Sequence, residues 1–135
     1  MVFETKDSGK RVDLANGMVR DTADDKPDWA LIFDGPLIRR YMELLGRGAK
    51  KYNPRNWMLA LKVPPDRMSY LKTRARFAES ALRHFLSWFM GDRSEDHAAA
   101  VVFNINGYEA MEESGAEGDQ KLGPQATLRA RDGVH

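Results

Sequence analysis

The residues Gly46–Trp57, GRGAKKYNPRNW, bring two lysines, two arginines, two asparagines, a tyrosine and a tryptophan into one short stretch. Cations of this kind neutralise phosphates, asparagine amides meet base edges, and aromatic rings stack on bases. A plainer role exists for part of the stretch. Tyr52 and Trp57 can plug a junction between helices, with Asn53-Pro54 as the turn. That accounts for the rings and for Pro54, but not for Lys50, Lys51, Arg55 and Asn56 together.

A second set of groups lies further along. Glu79, Asp92, Glu95 and Asp96 gather near the junction of two predicted helices, and an antiparallel hairpin would make those at its tight end neighbours. Hard divalent cations take oxygen ligands, and Mg²⁺ binds through a few carboxylates plus substrate phosphates. Glu79 sits about three turns below that end, so its participation depends on the packing offset. Locally, Glu95 and Asp96 also suit simple helix capping, and Glu79 suits an i,i+4 pair with Arg83. His97, Asn104 and Tyr108 share one helical stripe beside the small residues Ala98, Ala99 and Ala100. Asn104 reads either as a ligand contact or as a buried amide fixing helix register, and a lone His97 is a weak metal candidate.

Three helices must position these groups. The first spans about 36–51, with Asp34-Gly35-Pro36 as its start signal and Leu37, Tyr41, Leu44, Leu45 and Gly48 as its apolar face. The second spans about 68–90. Its apolar arc is Leu71, Ala75, Ala78, Leu82, Phe85, Leu86 and Phe89, and Gly91 ends it. Glu79 and Arg83 flank one border of that arc and His84 the other. The third helix follows Asp92-Arg93-Ser94, with Glu95 and Asp96 in its first turn, and runs to about 113. The fold class is all-α, a helical bundle, with no strand. Residues 1–28 are polar and broken by Gly9, Gly17 and Pro27, so they read as a loosely structured arm; 29–113 is the folded domain; 114–135 is poor in large apolar residues and reads as a flexible tail.

At 135 residues the chain is one domain. A net charge of +1 gives no basic field for a stable nucleic-acid complex. Lys72, Arg74, Arg76 and Arg83 on the second helix do not outweigh that balance. With no cysteine there is neither a disulfide framework nor a thiolate site. The opening residues lack the apolar core of a signal peptide and no apolar run suits a membrane span, so a cytoplasmic protein without membrane contact is expected.

Three blocks in order carry a resemblance. They are Met18-Val19-Arg20-Asp21-Thr22 with Lys26-Pro27; Gly48-Ala49-Lys50-Lys51-Tyr52 with Arg55-Asn56-Trp57; and Arg83-His84 with Trp88, followed by Glu95-Asp96-His97 and Phe103-Asn104. Over about residues 18–113 the chain resembles the phage and bacterial dATP/dGTP diphosphohydrolase family, the MazZ-like branch of the all-α, MazG-type nucleotide pyrophosphohydrolases. The resemblance implies cleavage of the α–β phosphoanhydride of a purine deoxynucleoside triphosphate, giving monophosphate and pyrophosphate, with Mg²⁺ or Mn²⁺. It also implies a helical bundle assembled as a homodimer or tetramer, acting in phage nucleotide metabolism in the host cytoplasm.

Carried onto this chain, the resemblance makes Glu79, Asp92, Glu95 and Asp96 the metal ligands. Glu79, His84 and His97 take the catalytic roles, with either histidine completing the metal shell or orienting the attacking water. Lys50, Lys51 and Arg55 neutralise the phosphates, with Arg83 among the substrate contacts. Tyr52 or Trp57 stacks on the purine, and Asn56 or Asn104 contacts base or sugar. MazG-type enzymes generally carry a Glu-Glu-x-x-Glu helix and then a Glu-x-x-Asp helix. The acidic set here is thinner, which leaves a second reading open: a non-catalytic nucleotide- or partner-binding phage protein on the same bundle.

Overall fold

The computed structural model describes residues 4–5, 7–22, 26–62, 66–115 and 123–133. It divides into two units, Met1–Asp34 and Gly35–His135. The division lies beyond the 28/29 boundary that composition suggested.

The first unit contains a small antiparallel hairpin, β1 (Arg11–Asp13) and β2 (Val19–Asp21), in which Val12 faces Arg20. This departs from the strandless reading. An Asn-Gly turn makes the hairpin: Gly17 adopts φ 81° and its N–H donates to the Leu14 carbonyl at 2.9 Å. Arg11 ties the hairpin to both Asp7 and Asp21, at 2.8 and 2.7 Å. Strands of three residues are too short for an alternating pattern to register in the sequence. A 3-10 segment, Trp29–Phe33, follows, with the Asp28 carboxylate accepting the Ala30 N–H.

The second unit is all helical. Its first helix, α1 (Leu37–Lys51), starts at Pro36 with no side-chain cap, so the capping role expected of Asp34 is not taken. Gly35 instead turns the chain with φ 76°. Lys50 and Lys51 complete the last turn, where cations complement the helix dipole. A second 3-10 segment, Asn56–Leu61, leads to α2 (Arg67–Phe89), whose N-cap Asp66 accepts from the Ser69 N–H at 2.7 Å. Gly91, at φ 85°, ends it. The third helix, α3 (His97–Ser114), is capped by Asp96, which accepts from the Ala99 N–H. Glu95 and Asp96 thus lie before the helix rather than in its first turn.

Helices α2 and α3 run antiparallel. The Tyr70 hydroxyl donates to the Met111 carbonyl, Phe77 packs on Gly107, and His84 meets His97. Gly107 is needed there: a Cβ would come within 2.4 Å of the Phe77 ring. Leu71, Ala75 and Ala78 of α2 join Ala99, Ala100, Tyr108 and Met111 of α3 in the core. The other half of the α2 arc is not covered, and Leu82, Phe85, Leu86 and Phe89 stand exposed.

The segment read as a flexible tail carries a helix, α4 (Pro124–Arg131), packed on α2. The physical reason is polar. Thr127 is fully buried, its hydroxyl 2.8 Å from the Tyr108 hydroxyl and accepting from Arg74 Nη2 at 3.2 Å. The Arg74 guanidinium lies over the Tyr70 and Tyr108 rings, 5.2 and 5.6 Å from their centroids. A helix anchored this way needs few large apolar residues, which is why composition hid it. Arg131 of α4 reaches Glu79 at 2.9 Å.

Candidate functional site

A cavity of about 1440 Å³ lies within the second unit, between the end of α1, the loop after it and the tight end of the α2–α3 hairpin. One wall is the basic-aromatic stretch. Lys51, Tyr52, Arg55, Asn56 and Trp57 all line it. The loop is set by Asn53-Pro54 and by Arg55, which takes the left-handed conformation, φ 61° and ψ 24°. For a residue with a side chain that conformation is costly, and it holds the guanidinium at the cavity. Tyr52 is exposed with Lys51 Nζ 5.0 Å from its ring centroid, whereas Trp57 is half-buried and edge-on to Phe103 at 6.3 Å. Tyr52 is therefore the ring free to stack, and Trp57 has a packing role.

A second wall carries the carboxylates and histidines. His97, 5% exposed, sits at the start of α3, and its Nε2–H donates to Asp92 Oδ2 at 3.0 Å. In the neutral ring that bond sets the tautomer, with the lone pair on Nδ1. This Nδ1 faces Nδ1 of His84 at 2.9 Å and lies 4.0 Å from a Glu95 oxygen. The Ser94 backbone N–H, then its side chain and then His97, hold the Asp92 carboxyl down at about 2. Burial, aided by Arg83 and His97, pushes His84 below its ordinary value and favours the neutral ring.

Asp96 is differently engaged. Arg40 of α1 grips both of its oxygens, and Oδ1 also caps α3. That guanidinium, more than any other group, holds its carboxyl below the usual range. Asp96 lines the cavity, but as a helix cap and interhelical clamp.

Of the residues singled out in the sequence, Lys51, Tyr52, Arg55, Asn56, Trp57, His84, Asp92, Glu95, Asp96, His97 and Asn104 line this one cavity. Asn104 is buried and its amide donates to the Ala100 carbonyl one turn back in α3, at 2.8 Å, while remaining part of the lining. Lys50, Glu79 and Arg83 are not in the lining. Each is one position from a lining residue, Lys51, Ser80 and His84, and so about 100° round its helix. Glu79 bonds to Arg131 rather than taking the i,i+4 partner Arg83. Arg40 and Arg93, which no local sequence signal singled out, also line the cavity, as does Arg47 of the basic stretch. Arg40, Arg47 and Lys51 are seven and four residues apart, a helical stripe that marks them as one face.

His84, Glu95 and His97 each offer one ligand atom, all within 4.8 Å of one another. Two imidazole nitrogens and a carboxylate are a donor set that fits a divalent ion. Asp92, which orients His97 from behind, is the second layer such sites use. Among the described residues no helix is long and apolar enough to cross a membrane.

A family profile described as dATP/dGTP diphosphohydrolase, N-terminal, matches residues 16–121. The match takes in both walls of the cavity and stops short of α4. No curated protein and no solved structure gives a significant match.

Proposed function

Since the chain belongs to the dATP/dGTP diphosphohydrolase N-terminal family, we propose that it hydrolyses purine deoxynucleoside triphosphates to the monophosphate and pyrophosphate, using a divalent metal ion. The observation that carries this reading is that a basic-aromatic stretch and a carboxylate-histidine cluster line one cavity within a single helical unit.

In this reading the triphosphate lies between the walls. Arg47, Lys51 and Arg55 oppose the charge spread over the phosphate oxygens, which grows on the leaving pyrophosphate as the α–β bond breaks. Tyr52 stacks on the purine, and Asn56 offers its amide to base or sugar. A divalent ion, which His84, Glu95 and His97 would hold, would supply phosphate neutralisation and activation of the attacking water. Asp92 holds His97 in one tautomer, and Arg40 holds Asp96, so that the wall keeps its shape as substrate charge enters.

The exposed apolar face of α2, formed by Leu82, Phe85, Leu86 and Phe89, supports a homo-oligomer in which a second copy covers it. The substrate class suits a cytoplasmic protein, and phage nucleotide metabolism is the setting in which such an activity is useful. The second reading, a nucleotide-binding protein without turnover, is favoured by the engagement of both Asp92 and Asp96 inside the protein. Incubating the protein with each dNTP and Mn²⁺ and measuring pyrophosphate separates the two. Release from dATP or dGTP is expected. Nucleotide binding without pyrophosphate, at high enzyme concentration, would replace hydrolysis with the binding role.

A further inference from the structure

We propose that His84, Glu95 and His97 form a two-imidazole, one-carboxylate site that takes a transition-metal divalent ion of the Co²⁺ or Zn²⁺ class in preference to Mg²⁺. The inference uses the same cavity as the hydrolase reading, but it concerns which ion the chain itself selects and does not depend on turnover.

The geometry between the two rings is the first support. Nδ1 of His84 and Nδ1 of His97 point at each other at 2.9 Å, their ring centroids 5.2 Å apart and their planes tilted by 41°. With metal–nitrogen bonds of about 2.1 Å, two nitrogens on one ion stand roughly 3–3.5 Å apart, so only a small opening of this pair makes room. The second support is the tautomer. Asp92 takes the proton side of His97, which leaves the lone pair of Nδ1 aimed into the cluster. Without an ion, His84 must give a hydrogen to that lone pair; with one, both δ nitrogens become ligands.

The carboxylates set the preference. An all-oxygen shell suited to Mg²⁺ would have to draw on Asp92 and Asp96. Asp92 is held by the Ser94 N–H and His97, and Asp96 by Arg40 and the Ala99 N–H. Glu95, exposed and 4.0 Å from Nδ1 of His97, can swing onto the ion. Imidazole-rich sites favour the later first-row ions over Mg²⁺. Because all three residues line the cavity, the remaining coordination positions face the space where a phosphate would enter.

Titrating the tag-free, metal-stripped chain with Co²⁺ tests this, read by the visible absorption of the ion and by calorimetry. One Co²⁺ per chain is expected, displaced by Zn²⁺, with Mg²⁺ weaker by at least about 100-fold. Asp92→Asn should weaken Co²⁺ by ~10–100-fold, and His84→Ala and Glu95→Gln by more than about tenfold each. Glu95 is exposed, so Glu95→Gln keeps the test open should His84→Ala misfold by circular dichroism. Equal competition by Mg²⁺, or unchanged Co²⁺ affinity in folded Glu95→Gln and His84→Ala, would overturn the site. Pyrophosphate release with Mg²⁺ but no Co²⁺ binding would count against this site alone, whereas Co²⁺ binding without any turnover would count against the hydrolase reading alone.

Discussion

Arg40 on α1 closes a two-pronged ion pair on Asp96, the residue that also caps α3. One carboxylate thereby joins two helices across 56 residues of sequence and fixes the floor on which His97 stands. The pair is part-buried, so it is less screened than a surface ion pair.

The Asp96 carboxyl is held below its ordinary 3.8 chiefly by Arg40. A depressed acid contributes stability that is present above its unfolded value and is lost as pH falls through its folded one. Asp96→Asn keeps a capping oxygen but loses the charge. Its melting temperature should fall less steeply than that of the parent between about pH 5 and pH 3. Asp96→Ala also loses the cap and should cost a further ~1 kcal/mol. Parallel pH profiles for the parent and the asparagine variant would remove the ion pair from this account.

Lys51 lines the cavity and its neighbour Lys50 does not. Lys51→Ala should therefore raise KM for a triphosphate by about 10–100-fold, as expected for the loss of a charge-assisted phosphate contact of roughly 1.5–3 kcal/mol. Monophosphate binding should suffer much less. Lys50→Ala should stay near the parent in both. Steady-state kinetics and monophosphate titration decide it, and equal effects at the two lysines would contradict the arrangement.

Glu79 was a leading metal and catalytic candidate in the sequence, yet it faces Arg131 on α4 and is absent from the cavity lining. Glu79→Gln should retain turnover within a few-fold, with the change confined to thermal stability. Loss of activity in a folded variant, by assay and circular dichroism, would return Glu79 to the site.

The difference between Glu79 and Lys51 shows what the sequence makes legible. The spans of α1, α2 and α3 follow from apolar spacing and the Gly91 stop, both local signals. The basic wall is legible for the same reason, since its residues are neighbours in sequence. What decides between Glu79 and Glu95 is the rotation and offset of α2 against α3, and close packing of Phe77 on Gly107 sets that. Nothing local to Asp96 announces Arg40, and nothing in the polar run around Thr127 announces α4, because their partners are distant in sequence and meet only on packing. The β1–β2 hairpin was missed because each strand is only three residues long.

Thr127 is buried between Arg74 and Tyr108. Thr127→Val keeps the shape and removes the hydroxyl from two buried polar groups. It should destabilise the protein by about 1–3 kcal/mol and raise amide exchange across α4. Unchanged stability together with rapid parent exchange over Pro124–Arg131 would mean that α4 does not dock as described.

The most direct measurement is ³¹P NMR of dATP and dGTP incubated with the full chain and Mn²⁺, recorded after the paramagnetic ion is removed on a chelating resin. Hydrolysis between the α and β phosphorus atoms predicts deoxynucleoside monophosphate and pyrophosphate accumulating in equal amounts. Diphosphate with orthophosphate, tripolyphosphate, or intact triphosphate at stoichiometric enzyme would contradict it.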